Sequence, residues 1–247
     1  MESVLDRVIK QNTENVNLLK TKDYNIFSVL QIQSKEVLIC RMIADLLNPR
    51  GQHGAGAEYL KIFLRDCLGM EKMDTKLADQ AIVTAEYAID DERRIDIVIE
   101  IGSYFLPIEV KIYAADQKSQ CFDYYQYAKR RDAQAKVYYL TLDGHRPGKD
   151  STSSGSQSVP EEDIVCLSFR EHILNWLKAC KNCGNTGMIP ILEQFIRNIE
   201  QISGYTSERV RSMVIDELLT SGDSLRAGMQ IADSINAAKA KRFCSKL

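Results

Sequence analysis

Residues 93–113 read RRIDIVIEIGSYFLPIEVKIY, and this stretch carries the clearest structural signal in the chain. Isoleucine occupies every second position from Ile95 to Ile101, and most of the intervening residues are charged. A second alternating run begins at Ile108. A period of two residues is typical of β-strands with one apolar face. Gly102-Ser103 separates the two runs and suits a two-residue loop with glycine first, so the stretch predicts a β-hairpin.

A two-residue loop also sets the register, with facing residues whose numbers sum to 205. Asp96 then faces Glu109, and Arg94 faces Lys111, all on one side of the sheet. Facing Cβ atoms lie roughly 4.5–5.5 Å apart, so two opposed carboxylates destabilise a hairpin unless a cation lies between them. A hard divalent metal such as Mg²⁺ prefers carboxylate oxygens and would supply that cation. In a second interpretation, Arg94 and Lys111 neutralise the two acids on a solvated face.

The composition is that of a globular protein without a strong overall charge. The chain has 247 residues, of which 45% are hydrophobic, and a formal net charge of −2. A nucleic-acid partner would therefore need a local basic surface. No apolar run approaches the roughly 18 residues of a membrane span, and the first residues lack a signal-peptide core. Seven scattered cysteines predict free thiols in a cytoplasmic protein without a membrane partner.

Apolar spacing and turn residues predict helices around a small set of strands. Ser34 is expected to cap a helix that runs to Leu47. Residues 143–160 are rich in serine and glycine and predict a long mobile loop that buries nothing. The other predicted strands are 80–89, 136–142 and 163–167. The other predicted helices are 3–20, one after Gly56 with Leu60, Phe63, Leu64, Cys67 and Leu68 on one face, 116–132, one from Ser168 to about 181, and about 188–203, 207–220 and 222–242.

This order of elements predicts an α/β or α+β fold with a mixed sheet between helices. We expect one domain over residues 1–204, in which residues 1–33 form an N-terminal helical segment. Residues 205–247 are expected to form a C-terminal helical extension, which could bind a partner protein, a second copy of the chain or DNA.

The hairpin acids also belong to a known pattern. Asp96, twelve further residues and then Glu109-Val110-Lys111 resemble the signature of the PD-(D/E)XK nuclease superfamily. Ile95 stands where the pattern has proline, which is often absent in the superfamily. The resemblance implies a restriction-endonuclease-like αβββαβ core with a mixed central sheet and extra helices at both ends.

Two further stretches extend the resemblance to roughly residues 24–200. Gln120 and Tyr124 are similar to the Q-x-x-x-Y motif of RecB-like members, which lies on the helix after the third strand. Residues 26–56, IFSVLQIQSKEVLICRMIADLLNPRGQHGAG, are similar to the start of a bacterial branch of the superfamily.

The resemblance implies a metal-dependent nuclease that hydrolyses phosphodiester bonds in DNA. Asp96 and Glu109, with the carbonyl of Val110, would hold one or two Mg²⁺ or Mn²⁺ ions. Lys111 would position the attacking water or stabilise the charged phosphate. A role in phage defence or DNA repair rests on the family analogy alone.

The resemblance also implies roles for polar residues outside the hairpin. Glu36 is the candidate for the acid that many members contribute from the leading helix, with Glu86 or Glu100 as alternatives. Gln120 and Tyr124 lie one turn apart and would contact the DNA backbone or the surroundings of Lys111, unless they form an ordinary amphipathic surface. Weaker candidates for nucleic-acid contacts are Gln117, Lys118 and Tyr127.

Two other classes of function remain open. One is a catalytically silent nuclease-like module that binds nucleic acid or regulates a partner. The other is a metal-dependent hydrolase that acts on nucleotides. Intact Asp96, Glu109 and Lys111 argue against the silent module, because it has no need for two opposed acids beside a lysine.

Other motifs are expected to be structural. His53 lies in a glycine-rich bend and would cap helix ends, with an approach to the site as the alternative. Cys180 and Cys183 form a single C-x-x-C pair, which is weak evidence for zinc or redox chemistry. Residues 144–149 imitate a phosphate-binding loop but lack a serine or threonine after the lysine. His145 and His172 have no partners at metal-ligand spacing.

Overall fold

A computed structural model of the chain describes residues 24–71, 73–183, 186–205, 215–216, 218–230 and 232. Its contacts divide the chain into a compact unit, Asn25–Ser203, and a second unit that combines Met1–Tyr24 with Gly204–Leu247. Within the second unit, residues 222–230 are helical. The predicted domain limits stay a prediction. The helix predicted at 3–20 and most of those at 207–242 lie outside the described residues.

The unit Asn25–Ser203 is built on a mixed sheet. Its strands are β1 (Ile82–Ala88), β2 (Arg94–Ile101), β3 (Tyr104–Lys111), β4 (Val137–Thr141), the short β5 (Ser153–Ser154) and β6 (Gln157–Ser158), and β7 (Ile164–Ser168). The main sheet has five strands in the order β1-β2-β3-β4-β7, and β5 and β6 form a separate hairpin. β1, β2 and β3 pair antiparallel, whereas β4 pairs parallel with both β3 and β7.

Helices lie before, between and after these strands. They are α1 (Ile26–Val29), α2 (Glu36–Leu47), α3 (Glu58–Asp66), α4 (Thr75–Ala78), α5 (Gln120–Arg131), α6 (Lys149–Thr152), α7 (Leu174–Cys183) and α8 (Ile189–Ile202). α2 contacts β1, β2 and β3, and α5 contacts β3 and β4. The parallel pair β3–β4 needs a crossover, which α5 provides. The series α2, β1, β2, β3, α5, β4 confirms the predicted αβββαβ core.

The hairpin has the predicted register. Ile101 pairs with Tyr104, and Ile97 pairs with Ile108, so paired residue numbers sum to 205. Gly102 has a φ of +57°, which the first position of a glycine-first hairpin loop requires and a side chain would disfavour. The alternation and the turn residues therefore predicted the register, although the ladder ends before the predicted pairs Asp96–Glu109 and Arg94–Lys111.

The sheet is buried on both sides of β2, although the alternation predicted one apolar face. The isoleucines are buried as expected, but Val98 on the opposite side is also 0% exposed. It belongs to a buried cluster with Phe105, Tyr124 and Val137, so α5 covers this side of the sheet. The interpretation of a solvated charged face is therefore wrong, since Glu109 and Lys111 are 1% and 6% exposed.

Residues 143–160 are more ordered than their composition predicted. They contain α6 and the β5–β6 hairpin, and Ser151 is fully buried. The Ser151 hydroxyl accepts a hydrogen bond from the N–H of Cys121, at 3.3 Å. The prediction of a mobile loop that buries nothing is wrong because a short polar side chain can be buried when it satisfies a backbone group.

Two helix starts differ in their caps. Asn25 caps α1, and its Oδ1 accepts from the N–H of Phe27 at 2.9 Å. Ser34 does not cap α2, whose N-cap residue is Lys35 without a side-chain hydrogen bond. The predicted cap is thus wrong by one residue, because a contact of Glu36 described below fixes this helix end. In the described part of the chain, no helix is long and apolar enough to cross a membrane.

Candidate active site

Asp96 and Glu109 lie where the β2–β3 ladder ends. The last paired residues are Ile97 and Ile108, and the two acids are the next residue on each strand. Oδ2 of Asp96 accepts a hydrogen bond of 2.8 Å from the N–H of Val110. The Asp96 side chain therefore reaches across to β3, which brings the two carboxyl groups into contact at one end of the sheet.

Lys111 forms a buried ion pair with Glu109. Its Nζ lies 2.6 Å from Oε1 of Glu109, and the two side chains are only 7% and 2% exposed. The second oxygen of Glu109, Oε2, is buried and has no hydrogen-bond partner among the described residues. Buried polar atoms are nearly always satisfied, so this oxygen marks a position for a ligand.

Negative charge exceeds positive charge in this site. Burial and the neighbouring Asp96 raise the pKa of Glu109 well above its ordinary range, although Lys111 opposes this shift. Burial also raises the pKa of Asp96, against the stabilising N–H of Val110. Burial acts to lower the pKa of Lys111, but the charges of Glu109, Asp96 and Glu36 outweigh it and raise that pKa. One buried ammonium group therefore serves several carboxylates.

Glu36 joins the site from the first turn of α2. Its Oε2 accepts a hydrogen bond of 2.8 Å from the N–H of Ile112, the residue after β3. This contact ties the start of α2 to the end of β3. A carboxylate at a helix start is also favoured by the helix dipole, typically by about 0.3–1 kcal/mol. The structure therefore brings Glu36 to the end of β3 near Lys111, and its role as a metal ligand stays a prediction.

Of the two alternatives to Glu36, Glu86 lies near the site and Glu100 does not. Glu86 stands between residues that pair with Ile97 and Ile95, which places it across from Asp96. Its φ is +54°, and Nη2 of Arg41 donates to its Oε2 at 2.6 Å. Glu100 lies four residues along β2 from Asp96 and pairs with Arg131 at 2.6 Å.

Cys40 lies near the acids of the site and was not among the predicted site residues. It lies one turn after Glu36 on α2 and is buried. Burial raises the pKa of its thiol, and the nearby charges of Asp96, Glu36, Glu109 and Glu86 raise it further. The spacing of four residues from Glu36 was the available signal. The thiol therefore lies within the electrostatic field of these acids.

Gln120 and Tyr124 fix α5 to the strand that carries Asp96. Nε2 of Gln120 donates to the Tyr124 hydroxyl at 3.1 Å, and this hydroxyl donates to the carbonyl of Arg94. Gln120 and Tyr124 are 5% and 1% exposed. The two side chains therefore meet one turn apart, as predicted, but they are buried and do not form an amphipathic surface.

The weaker candidates for nucleic-acid contacts separate into two groups. Gln117 and Lys118 are exposed on the loop before α5, since that helix begins at Gln120 and not at residue 116. Arg93 holds this loop, donating to Oε1 of Gln117 at 3.1 Å and to the carbonyl of Lys118 at 2.7 Å. Tyr127 lies elsewhere, with its hydroxyl 3.2 Å from that of Tyr87.

His53 and the C-x-x-C pair have structural contacts. His53 is buried, with Nε2 2.9 Å from the carbonyl of Asn48 and its ring stacked on Tyr59. Cys180 and Cys183 are free thiols, and Cys183 Sγ lies 3.5 Å from the carbonyl of Cys180.

The donors at the hairpin fit a hard divalent cation. Asp96, Glu109 and the Val110 carbonyl offer oxygen ligands, and Mg²⁺ typically uses one or two carboxylates while it keeps several waters. The unpartnered Oε2 of Glu109 is the specific position for such an ion. Within the described ranges, no three or more His, Cys, Asp or Glu side chains group to hold a metal. The fit therefore rests on two carboxylates and a carbonyl.

Comparisons with known proteins agree with this geometry. A family model of the PD-(D/E)XK nuclease superfamily matches residues 24–198, which is more than half of the chain. The chain therefore belongs to the PD-(D/E)XK nuclease superfamily. Searches of curated proteins and of solved structures found no match.

Proposed function

We propose that this chain is a metal-dependent nuclease that hydrolyses phosphodiester bonds in DNA, with Mg²⁺ or Mn²⁺ as its cofactor. The observation that carries the proposal is the buried, unpartnered Oε2 of Glu109 beside the carboxyl group of Asp96. A divalent ion bound there would polarise the scissile phosphate and make hydroxide available near neutral pH. Asp96, Glu109 and the Val110 carbonyl would hold it.

The chain's own side chains divide the remaining tasks. Lys111 carries three N–H donors next to Glu109 and would hold the attacking water or a phosphate oxygen. Two N–H groups at the end of β3 donate to acids of the site. The N–H of Val110 donates to Asp96, and the N–H of Ile112 donates to Glu36. These bonds keep the end of the strand in place, so that Glu109 and Lys111 face the substrate in a fixed geometry.

Gln120 and Tyr124 act as positioning residues in this proposal. Their hydrogen bonds hold the start of α5 against the backbone of Arg94, two residues before Asp96. The exposed loop with Gln117 and Lys118 then lies at the same end of the sheet. Arg94 and Lys118, which are both exposed, would supply the local basic surface that a chain of net charge −2 needs to bind DNA. Arg93 only holds the loop, because its charge is paired with Asp123 at 3.1 Å.

A cleavage assay tests the proposal. The full chain is incubated with supercoiled plasmid, linear duplex, single-stranded DNA, RNA and free nucleotides, in Mg²⁺, Mn²⁺ or EDTA. We expect metal-dependent loss of DNA, and a decrease of roughly a hundredfold or more in Glu109→Gln. Supercoiled and linear substrates separate endonuclease from exonuclease activity.

Glu100→Gln is the matched control, because Glu100 is also a carboxylate on the hairpin but pairs with Arg131 away from the site. It should cleave at the rate of the unmodified protein. Full activity in Glu109→Gln, or hydrolysis of nucleotides without cleavage of DNA, would overturn the proposal.

Two observations favour a catalytically silent module as the second candidate. Lys111 already neutralises one oxygen of Glu109, and no larger group of metal-ligating side chains occurs in the ranges that the structure describes. Titration with Mn²⁺ by calorimetry separates the two. A silent module would bind DNA but take up no Mn²⁺, whereas the proposed nuclease should bind Mn²⁺ and lose that binding in Glu109→Gln.

The cellular setting is also part of the proposal. The free thiols of the described cysteines suit a reducing cytoplasm. We place the nuclease there, in defence against foreign DNA or in repair, with a homodimer or partner protein bound through the C-terminal helices.

A further inference from the structure

The loop after β4 begins beside the candidate active site. Lys111 and Thr141, the last residues of β3 and β4, are neighbours in the parallel ladder. Parallel strands lie about 4.8 Å apart, so the residues that follow Thr141 lie at the rim of the site. The chain continues as Leu142-Asp143-Gly144-His145, the segment that only imitated a phosphate-binding loop.

Asp143 and His145 form a tightly held pair on this loop. Nδ1 of His145 lies 2.6 Å from Oδ1 of Asp143, and the N–H of His145 donates to the same oxygen at 3.3 Å. The Thr141 hydroxyl accepts from the N–H of Gly144 at 2.8 Å and lies 3.4 Å from Oδ1 of Asp143. The hydrogen bond from His145 lowers the pKa of Asp143. The turn therefore fixes the orientation of the imidazole.

Tyr139 fixes the distance of this pair from the candidate active site. Tyr139 is the neighbour of Glu109 in the ladder, and its ring centroid is 6.2 Å from that of His145. His145 therefore lies on the order of 10 Å from Glu109. At this distance it is too far to contact a phosphate that is bound at the two carboxylates. Asp116 makes this part of the rim rigid, because it accepts from the Tyr139 hydroxyl at 2.6 Å and from the N–H of Gly148 at 2.7 Å.

We propose that His145, oriented by Asp143, binds a backbone phosphate of the nucleic acid next to the phosphate that is cleaved. This contact rests on the proposed nuclease function and adds a binding site to it. Asp143 occupies Nδ1, so Nε2 is the ring nitrogen that meets the ligand. A protonated imidazole has donors at both nitrogens, and one then serves Asp143 and the other a phosphate oxygen. The side chain is 60% exposed, so a strand can reach it.

The affinity of the full chain for a labelled oligonucleotide in EDTA tests this contact without cleavage. We expect His145→Gln to weaken binding by on the order of fivefold and to reduce the salt slope by about 0.7–0.9. In Mn²⁺, the same variant should raise KM and leave kcat unchanged. An unchanged affinity and salt slope would overturn the proposal.

Asp143→Ala tests the orienting role, because the two possible roles of Asp143 predict opposite changes in affinity. Removing a carboxylate from the surface should strengthen binding to a polyanion if Asp143 acts only by its charge. If Asp143 orients His145, binding should weaken instead. Asp150→Asn is the control, because Asp150 is an exposed carboxylate that lies seven residues after Asp143. It should leave affinity unchanged or increase it slightly. Stronger binding by Asp143→Ala would contradict the orienting role and overturn the proposal.

Single methylphosphonates, which remove the charge of one phosphate at a time, locate the contact. The unmodified protein should lose affinity at a position next to the cleaved bond, and His145→Gln should show no further loss there. If the losses from the methylphosphonate and from His145→Gln add at every position, the proposed contact is wrong. If His145→Gln weakens binding and lowers the salt slope but nothing is cleaved, His145 still binds a phosphate and the nuclease proposal fails. If DNA is cleaved and His145→Gln binds normally, the nuclease proposal stands and the phosphate contact of His145 is wrong.

Discussion

At the scale of single residues, the site has too few cations for its acids. Lys111 is the buried cation that pairs with Glu109, and the charges of Asp96 and Glu36 also raise its pKa. A buried ion pair contributes little net stability, but the loss of one partner leaves an uncompensated charge without solvent. The two members of this pair should therefore respond very differently to neutral substitutions.

Lys111→Met is expected to destabilise the metal-free protein by roughly 2–4 kcal/mol at pH 8, because Glu109 and Asp96 then face each other without a cation. Glu109→Gln should change the free energy of unfolding by less than about 1 kcal/mol, since the amide oxygen still accepts from Lys111 and the repulsion of Asp96 disappears. Urea unfolding followed by circular dichroism measures both. Equal losses in the two variants would contradict this account of the pair.

At the scale of elements, the start of α5 depends on the segment around α6. The N-cap residue Ser119 makes no side-chain cap bond, but its N–H donates to the carbonyl of Asp150 at 2.7 Å. The hydroxyl of Ser151 accepts from the N–H of Cys121, and the hydroxyl of Ser119 donates to the carbonyl of Ser153 at 2.8 Å. The α6 segment thus satisfies N–H groups that a helix start leaves open.

Ser151→Ala should therefore destabilise the protein by about 1–2 kcal/mol, because the buried N–H of Cys121 loses its acceptor. Ser156→Ala is the matched control, since Ser156 is exposed in the same serine-rich stretch and should change stability by less than about 0.5 kcal/mol. Chemical unfolding of both variants measures the difference. A neutral Ser151→Ala would show that water replaces the hydroxyl.

The hairpin, residues 143–160 and the start of α2 show what a sequence can and cannot predict. The hairpin was predictable because strict alternation and a glycine-first turn leave one register, and that register placed Asp96 beside Glu109. The ordered structure of residues 143–160 was not predictable, because the hydrogen-bond partner of Ser151 is Cys121 on α5, thirty residues away. Likewise, the start of α2 depends on Glu36 and the distant Ile112, and this contact displaced the cap predicted at Ser34.

At the scale of the whole molecule, the raised pKa values of Glu109 and Asp96 couple folding to protons. A carboxyl group whose pKa is higher in the folded state stabilises the fold fully below its unfolded pKa, roughly 4. That contribution is lost as the pH rises through the folded pKa. Asp66, Asp143 and Asp163 have lowered pKa values, and their contribution is lost in the opposite direction, as the pH falls in acid. Above about pH 5 the contributions of those three acids are constant, so the site dominates the change in stability with pH that carboxyl groups cause.

Thermal unfolding between pH 5 and pH 8.5, with and without Mn²⁺, tests this coupling. Without metal, we expect Tm to decrease as the pH rises, because the two acids must then carry charge in a buried site with one lysine. Mn²⁺ should raise Tm, and more so at higher pH, because metal and protons compete for the same oxygens. Glu109→Gln removes one of the two titrating groups, so its Tm should depend less on pH and respond less to Mn²⁺. A Mn²⁺ effect of equal size at every pH, or an unchanged slope in Glu109→Gln, would show that these carboxylates are neither the metal ligands nor the source of the proton linkage.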